Sequence, residues 1–192
     1  MNPIRIKRSD VVGNKPPVLA FGETAINTAD KVLYVGDNAS NVIELSGMHT
    51  AQLIDRKPLG TNGGTNRKKV WNVRALNTIV YDSLGIVQII GDDFKLVKGT
   101  YFIQISAPVN EVGLHKLRIW NEVTNTLVAE GQNAKSKKSS FAQLSCIINT
   151  DGTDLFELQH YTEEREKRYG LGIASNLGSY ECYTIITIFK VL

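Results

Sequence analysis

The side chains able to do chemistry are few. There are three histidines, His49, His115 and His160, and two cysteines, Cys146 and Cys182. A zinc site closes four such ligands on one point, usually offered in close pairs along the chain. No Cys or acid stands at that spacing from any of these histidines, so each histidine is expected to be structural or at an interface. Asp92-Asp93 places two carboxylates side by side. Calcium takes six or more oxygens, and no loop of regularly spaced acids surrounds the pair, so a polar turn is expected. The run TEEREKRYG mixes charge signs as a solvated surface does, rather than isolating the carboxylate pair of a glycosidase. GxSxG, Walker and HExxH motifs are all missing. The sequence therefore predicts no enzyme, no cofactor and no metal.

Both cysteines lie within strand-like runs. They fit either two buried free thiols, behaving as small hydrophobes, or a cross-strand disulfide. Synthesis in a reducing cytoplasm argues against the bond.

The elements that must carry these residues are strands. The chain has 192 residues, a formal charge of +3 and sixteen glycines. That length suits one domain and a small module. No basic stripe marks a nucleic-acid binder. No stretch nears the roughly 20 apolar residues of a membrane helix, so no membrane insertion is expected. MNPIRIKRSD lacks the apolar segment of a signal peptide.

Residues 1–47 predict a small β module. Ile4 and Ile6 alternate with Arg5 and Lys7, Pro16-Pro17 mark a loop, and Ala25–Asn27, Val32–Val35 and Val42–Leu45 are short strands between turns. Residues 48–69, with Gly60, Gly63 and Gly64, predict a flexible connector in which HTAQLIDRK forms at most a short helix. From Trp71 the rhythm returns, with Trp71, Val73, Ala75, Ile79 and Tyr81 on one parity.

Strand signals then follow at close spacing. GTYFIQIS sets Tyr101, Ile103 and Ile105 against Phe102, Gln104 and Ser106. LHKLRIWN turns Leu117 and Ile119 inward and Lys116, Arg118 and Trp120 outward, where Trp120 is either covered by a loop or meets a ligand. SFAQLSCIIN and DLFELQHY alternate likewise. The last run, ECYTIITIFKVL, is apolar on both parities, so both of its faces must be covered. Eight to ten strands without βα alternation imply an all-β antiparallel sandwich.

Two resemblances add to this. Ile4 to Arg8, Pro17, Gly22-Glu23, Asn27-Thr28 and Leu33 to Asp37 resemble the N-terminal virion-attachment module of bacteriophage tail fibres. That resemblance implies attachment to another virion protein through Ile4, Arg5, Ile6, Gly22, Glu23, Asn27, Thr28, Leu33, Tyr34, Gly36 and Asp37. Over residues 70–192, Gly99, Tyr101 and Ile103, His115 to Asn121, Phe156 to His160 and Glu181 to Val191 are similar to the C1q/TNF-like jelly roll found at the C-termini of phage fibres. Ile103 stands where a second aromatic is usual, and no collagen-like stalk precedes the domain, which sets the chain apart from secreted animal C1q proteins.

Such domains imply a homotrimer, with one sheet of each protomer at the threefold axis. Phe102, Gln104, Tyr183, Ile185 and Thr187 are the expected interface residues. A virion location, outside the particle on a tail or other appendage, and a host-cell surface receptor, protein or glycan, are further implications. Loops on a rigid scaffold carry recognition, so Lys135, Lys137 and Lys138 in one loop, and Glu164, Arg165, Lys167, Arg168 and Tyr169 in another, are the expected receptor contacts. The alternative is a head fibre or capsid-decorating trimer without a receptor.

Overall fold

The computed structural model describes residues 6–45 and 49–191. Ile4 and Arg5 of the expected attachment set lie outside them. The chain divides into two compact units, Met1–Met48 and His49–Leu192.

The first unit is a four-stranded sheet ordered β1 (Lys7–Ser9), β2 (Thr24–Asn27), β3 (Val32–Gly36), β4 (Val42–Glu44). β1 runs parallel to β2, and the other pairs are antiparallel. Its buried apolar cluster is only Leu19, Ala25, Val32 and Tyr34, with Val42 packed against it. So small a core needs polar staples, and Asn27 supplies one. Its amide donates to the carbonyls of Val11 at 2.8 Å and Asn14 at 3.1 Å, and to Asp30 Oδ2 at 2.7 Å. Its Oδ1 accepts from the Ala29 and Asp30 amides.

The second unit stacks two sheets. Its strands in chain order are β5 (His49–Lys57), β6 (Val70–Val73), β7 (Thr78–Asp82), β8 (Val87–Ile90), β9 (Asp93–Leu96) and β10 (Gly99–Asn110). Then come β11 (Gly113–Asn121), β12 (Thr126–Glu130), β13 (Ala134–Ser136), β14 (Ser139–Thr150), β15 (Phe156–Thr162) and β16 (Glu181–Lys190). The five-stranded sheet is ordered β14-β10-β16-β5-β7. The other is β12-β11-β15-β9-β8, with β13 also on β11 and β6 also on β15. Tyr101, Ile103, Ile105, Leu117, Ile119, Leu144, Phe156, Leu158, Ile186 and Ile188 fill the space between them, as alternation along each strand requires.

Several expectations need correction. HTAQLIDRK is not a connector: as β5 it pairs with β16 from His49 to Lys57 and buries Ala51, Leu53, Ile54 and Asp55. The reading failed because Gln52, Asp55 and Arg56 break the apolar rhythm of a strand whose neighbours on both sides supply the hydrogen bonds. Nor is 58–69 loose. Asn66 is buried, donating to Thr162 Oγ1 and the Glu164 carbonyl at 2.7 Å each. Gly63 packs so closely that a Cβ would stand 2.5 Å from the Leu171 carbonyl oxygen.

In the segment from Trp71 the apolar parity faces outward, with Val73, Ile79 and Tyr81 exposed. On the other parity Asn72, Arg74 and Leu76 are buried and Val80 is exposed.

In β16 the two-residue period breaks. Cys182 pairs with Arg56 but Ile185 with Ile54, so one extra residue bulges between them. A bulge reverses the parity beyond it. Tyr183 therefore points into the fold, 4% exposed, and donates to the Thr61 carbonyl at 2.7 Å. It is not an interface residue. Both cysteines are free. β10 lies between their strands, so they cannot bridge. Burial pushes the Cys146 thiol up to about 11, whereas Cys182 is exposed rather than buried.

Candidate functional site

The outward face of the five-stranded sheet gathers four of the five expected interface residues. Strand register sets them in rows. Phe102 is opposite Ile147 on one side and Phe189 on the other, and Gln104 is opposite Ser145 and Thr187. Ser106 is opposite Gln143 and Ile185. The Phe102 and Phe189 rings stack with centroids 6.1 Å apart. Ile147 is 72% exposed and Phe141 62%. The face is thus apolar at both ends and polar across the middle, where Gln104, Ser145 and Thr187 line a shallow depression.

The two expected recognition loops come together at one end of the sandwich, on either side of the β10–β11 turn. The Glu111 amide donates to the Lys138 carbonyl at 3.1 Å, and the Glu164 amide to the Val112 carbonyl at 2.9 Å. Lys135, Lys137, Lys138, Glu164, Arg165, Lys167 and Arg168 are exposed, while Tyr169 is half-buried. Lys135 belongs to β13, paired with Leu114, rather than to a loop. The Arg168 guanidinium lies over the Tyr169 ring at 5.0 Å.

The outer face of the second sheet carries an aromatic cluster that alternation placed outward but did not assemble. The Arg118 guanidinium lies 4.2 Å from the Trp71 ring centre and 4.3 Å from that of Trp120. Its Nε donates to Gln159 Oε1 at 2.6 Å. Trp71 meets Tyr161 edge-on, with centroids 5.5 Å apart. Beside Trp71 and Tyr161 lies a groove of about 510 Å³ bounded by Leu114, Lys116, Asn133 and Ala134. Trp120 is thus a cation-stacking residue in this cluster.

Inside the sandwich the same end is polar. His115 and His160 are buried, as is Arg74. Arg74 donates from Nε to Thr184 Oγ1 at 3.1 Å and from Nη1 to the carbonyls of Leu171 at 3.0 Å and Pro108 at 3.3 Å. Burial lowers its pKa to about 10, and nearby Asp55 acts in the other direction. Burial lowers both histidines as well, His160 furthest, with Arg74 and His115 adding to the effect. Sequence reasoning missed Arg74, because nothing about an isolated arginine in WNVRAL signals burial.

The acids Asp92 and Asp93 sit at the β8–β9 turn. Burial pushes Asp93 up to about 6, and Glu157, Glu122 and Asp92 add to it. Among the described residues, no three His, Cys, Asp or Glu side chains are grouped to hold a metal ion.

In the first unit, several expected attachment residues are committed inside. Asn27 and Tyr34 are buried. Gly36 packs against Leu19 and Ala20, where a Cβ would stand 2.1 Å from the Ala20 carbonyl oxygen. Asp37 accepts from the Ala39 and Asn41 amides, closing its turn. Glu23 pairs with Lys7 at 2.8 Å and accepts the Ala20 amide. Ile6, Gly22, Thr28 and Leu33 remain exposed, and Leu33 shares the sheet's outward face with Ile43.

No family model matches the sequence. No curated protein matches it. Among solved structures, murine APRIL superposes with a TM-score of 0.51 at 8% identity, over 76% of this chain and 100% of that one. The fold is a C1q/TNF-like jelly roll. A second crystal of murine APRIL gives 0.51 at 10% identity, with the same coverage. PRD1 vertex protein P5 scores 0.49 at 16% identity, over 77% of this chain and 100% of that one, too low to bear on the fold. Identities of this order speak to the jelly roll alone. Among the described residues no helix is long and apolar enough to cross a membrane.

Proposed function

We propose that the chain is a homotrimeric appendage protein of a bacteriophage virion, attached through its first unit, whose jelly-roll head trimerises and binds a host-cell surface receptor. The observation that carries the trimer is the outward face of the five-stranded sheet. Phe102, Phe141, Ile147, Ile185 and Phe189 stand on a sheet whose other face already fills the core. Face-exposed apolar rows on a jelly roll are stable once a second surface covers them. Three copies around one axis do this with a single repeated contact, which closes without leaving a free patch.

The virion assignment rests on the resemblance of Ile4 to Asp37 to tail-fibre attachment modules. Receptor binding rests on the two loops at one end of the sandwich and on the avidity that three heads give to weak contacts. The role is binding rather than catalysis.

Two measurements test this. The mass of the full chain in solution is expected to be three times that of the monomer, and a monomer removes the basis of the reading. Fluorescently labelled trimer is expected to adsorb to host cells. An intact trimer that adsorbs to none is instead a structural decorating trimer.

A further inference from the structure

The groove beside Trp71 and Tyr161 is the feature that fold and assembly leave unexplained. It lies on the solvent face of the second sheet, opposite to the face that packs in the core. Its walls are apolar and aromatic: Trp71, Tyr161, Leu114 and Ala134. Lys116 and Asn133 bring polar side chains to it, and His115, whose ring is buried, completes the lining. A volume of about 510 Å³ falls within the range of small-ligand sites.

Two properties narrow the ligand. First, the platform is fixed before anything binds. Arg118 stacks between the Trp71 and Trp120 rings and is itself held by Gln159, so Trp71 has little rotamer freedom left to lose. Second, the cations here are already satisfied. Lys116 Nζ pairs with Glu130 Oε2 at 2.5 Å, and the Arg118 charge is spread over two indoles. The groove therefore asks for no anion. It offers aromatic surface to an apolar face, and amide and ammonium hydrogens to hydroxyls at the edge. A pyranose has that shape: axial C–H groups make one face apolar, and equatorial hydroxyls make the rim polar. An alkyl chain would offer the Asn133 amide no partner as it desolvated it.

We propose that this groove is a binding site for a neutral pyranose unit of a glycan. The sugar lies against Trp71 and Tyr161 and is hydrogen-bonded by Asn133 and Lys116. The proposal rests on the receptor-binding reading and gives it a ligand class. It also moves recognition from the loop tips to the sheet face beneath them, since β13 and the end of β15 form two borders of the groove.

The test uses the full chain. Methyl glycosides of glucose, galactose, mannose and N-acetylglucosamine, and their β1,4-linked dimers, are titrated while saturation-transfer NMR and tryptophan fluorescence are recorded. Trp71 and Trp120 are the only tryptophans, so the fluorescence reports on this cluster. At least one sugar is expected to bind at millimolar strength, with transfer strongest to the protons of one ring face. Trp71→Ala and Tyr161→Ala are expected to weaken it by about tenfold. Leu114→Glu, at an exposed wall position, is expected to weaken it without moving the melting temperature or the mass.

No binding by any of these sugars overturns the proposal. So does binding that survives all three substitutions. Host-cell adsorption that persists unchanged in Trp71→Ala and Leu114→Glu overturns the groove as the receptor contact and leaves the receptor reading standing. Sugar binding by a wild-type protein that adsorbs to no cell supports the groove and overturns the receptor reading.

Discussion

His115 Nδ1 lies 3.1 Å from His160 Nε2, and both rings are buried between the sheets. Whichever ring donates, the pair leaves one N–H and one lone pair unmatched, because His115 Nε2 and His160 Nδ1 have no partner. Arg74 lies near, and its Nη2 is unmatched as well. A proton added here meets another buried cation. Both histidines are therefore held neutral, with pKa values below the ordinary 6.5.

The sign follows from linkage. In the unfolded chain these histidines take up protons near pH 6.5, and in the fold they do not. Their contribution is complete above pH 6.5 and is lost as pH falls below it, by up to about 1.4 kcal/mol per pH unit for each histidine. Asp93 works the other way. Its raised pKa of about 6 means that the folded state gains stability as pH falls towards the unfolded carboxylate value. Wild type must therefore be compared with His160→Gln rather than read alone. Between pH 7 and pH 5 the wild type is expected to lose more denaturation free energy than the variant. Parallel pH profiles for the two proteins would rule out the histidine pair as an acid-sensitive element.

The assembly face gives a second prediction. Ile147 and Phe102 are directly opposite on neighbouring strands, and both point away from the core. Ile147→Asp adds a charge and removes an apolar side chain worth about 2 kcal/mol on burial, once per protomer. The expected product is a monomer with an unchanged circular dichroism spectrum, detected by light scattering. A trimer of normal stability in this variant would show that the five-stranded sheet is not the contact surface.

The strand pattern of the second unit could be read from the sequence because its core strands keep a strict period of two. Tyr101, Ile103 and Ile105 on one parity, and Phe156, Leu158 and His160 on another, are buried as that period requires. Three features broke the rule. The bulge after Cys182 flips Tyr183 inward, and one extra residue in a ladder leaves no mark in composition. β5 is a strand because its neighbours complete it, so Asp55 and Arg56 could interrupt its apolar rhythm without cost to pairing. Arg74 and Asn72 are buried because carbonyls and hydroxyls from distant segments meet them, among them Leu171 and Pro108 at Arg74 and His160 and Thr162 at Asn72. The groove shared by Trp71, Leu114, Ala134 and Tyr161 depends on the same non-local pairing. Single-strand alternation says which side each faces, and only β6-β15-β11-β13 adjacency brings them to one place.

Asn27 tests how the first unit holds together. Its side chain joins the 11–14 loop, the 28–30 turn and β2 through five hydrogen bonds, beside a core of four buried apolar side chains. Asn27→Ala removes all five bonds from a buried position, at a cost of about 2–3 kcal/mol, a large share of the stability of so small a unit. Amide resonances of residues 6–45 are expected to collapse toward random-coil positions, with those of 49–191 unmoved. If the first unit keeps its dispersion, Asn27 is dispensable and the resemblance to attachment modules at this position has no structural basis.

Glu181 closes the far end of β16. Its Oε1 accepts the Gly60 amide at 3.0 Å and the Asn176 amide at 2.9 Å, and its Oε2 accepts the Ser175 amide and hydroxyl at 3.0 Å each. The backbone bonds from Ser175 and Gly60 lead in holding its carboxyl down at about 2. One carboxylate thus fastens the 58–64 loop to the 172–178 loop. A group with a depressed pKa stabilises fully above its unfolded value near 4.5, and the effect is lost as pH falls toward 2. Glu181→Gln keeps the shape but replaces an acceptor oxygen with an amide that donates, so the Gly60 amide, or those of Ser175 and Asn176, lose their partner. Hydrogen exchange at Gly60, Ser175 and Asn176 is expected to rise by about tenfold or more at neutral pH, with the core amides of β10 unchanged. The same three amides in wild type are expected to lose protection only in strong acid. Loss of their protection already near pH 5 would mean that Glu181 is not what holds the two loops.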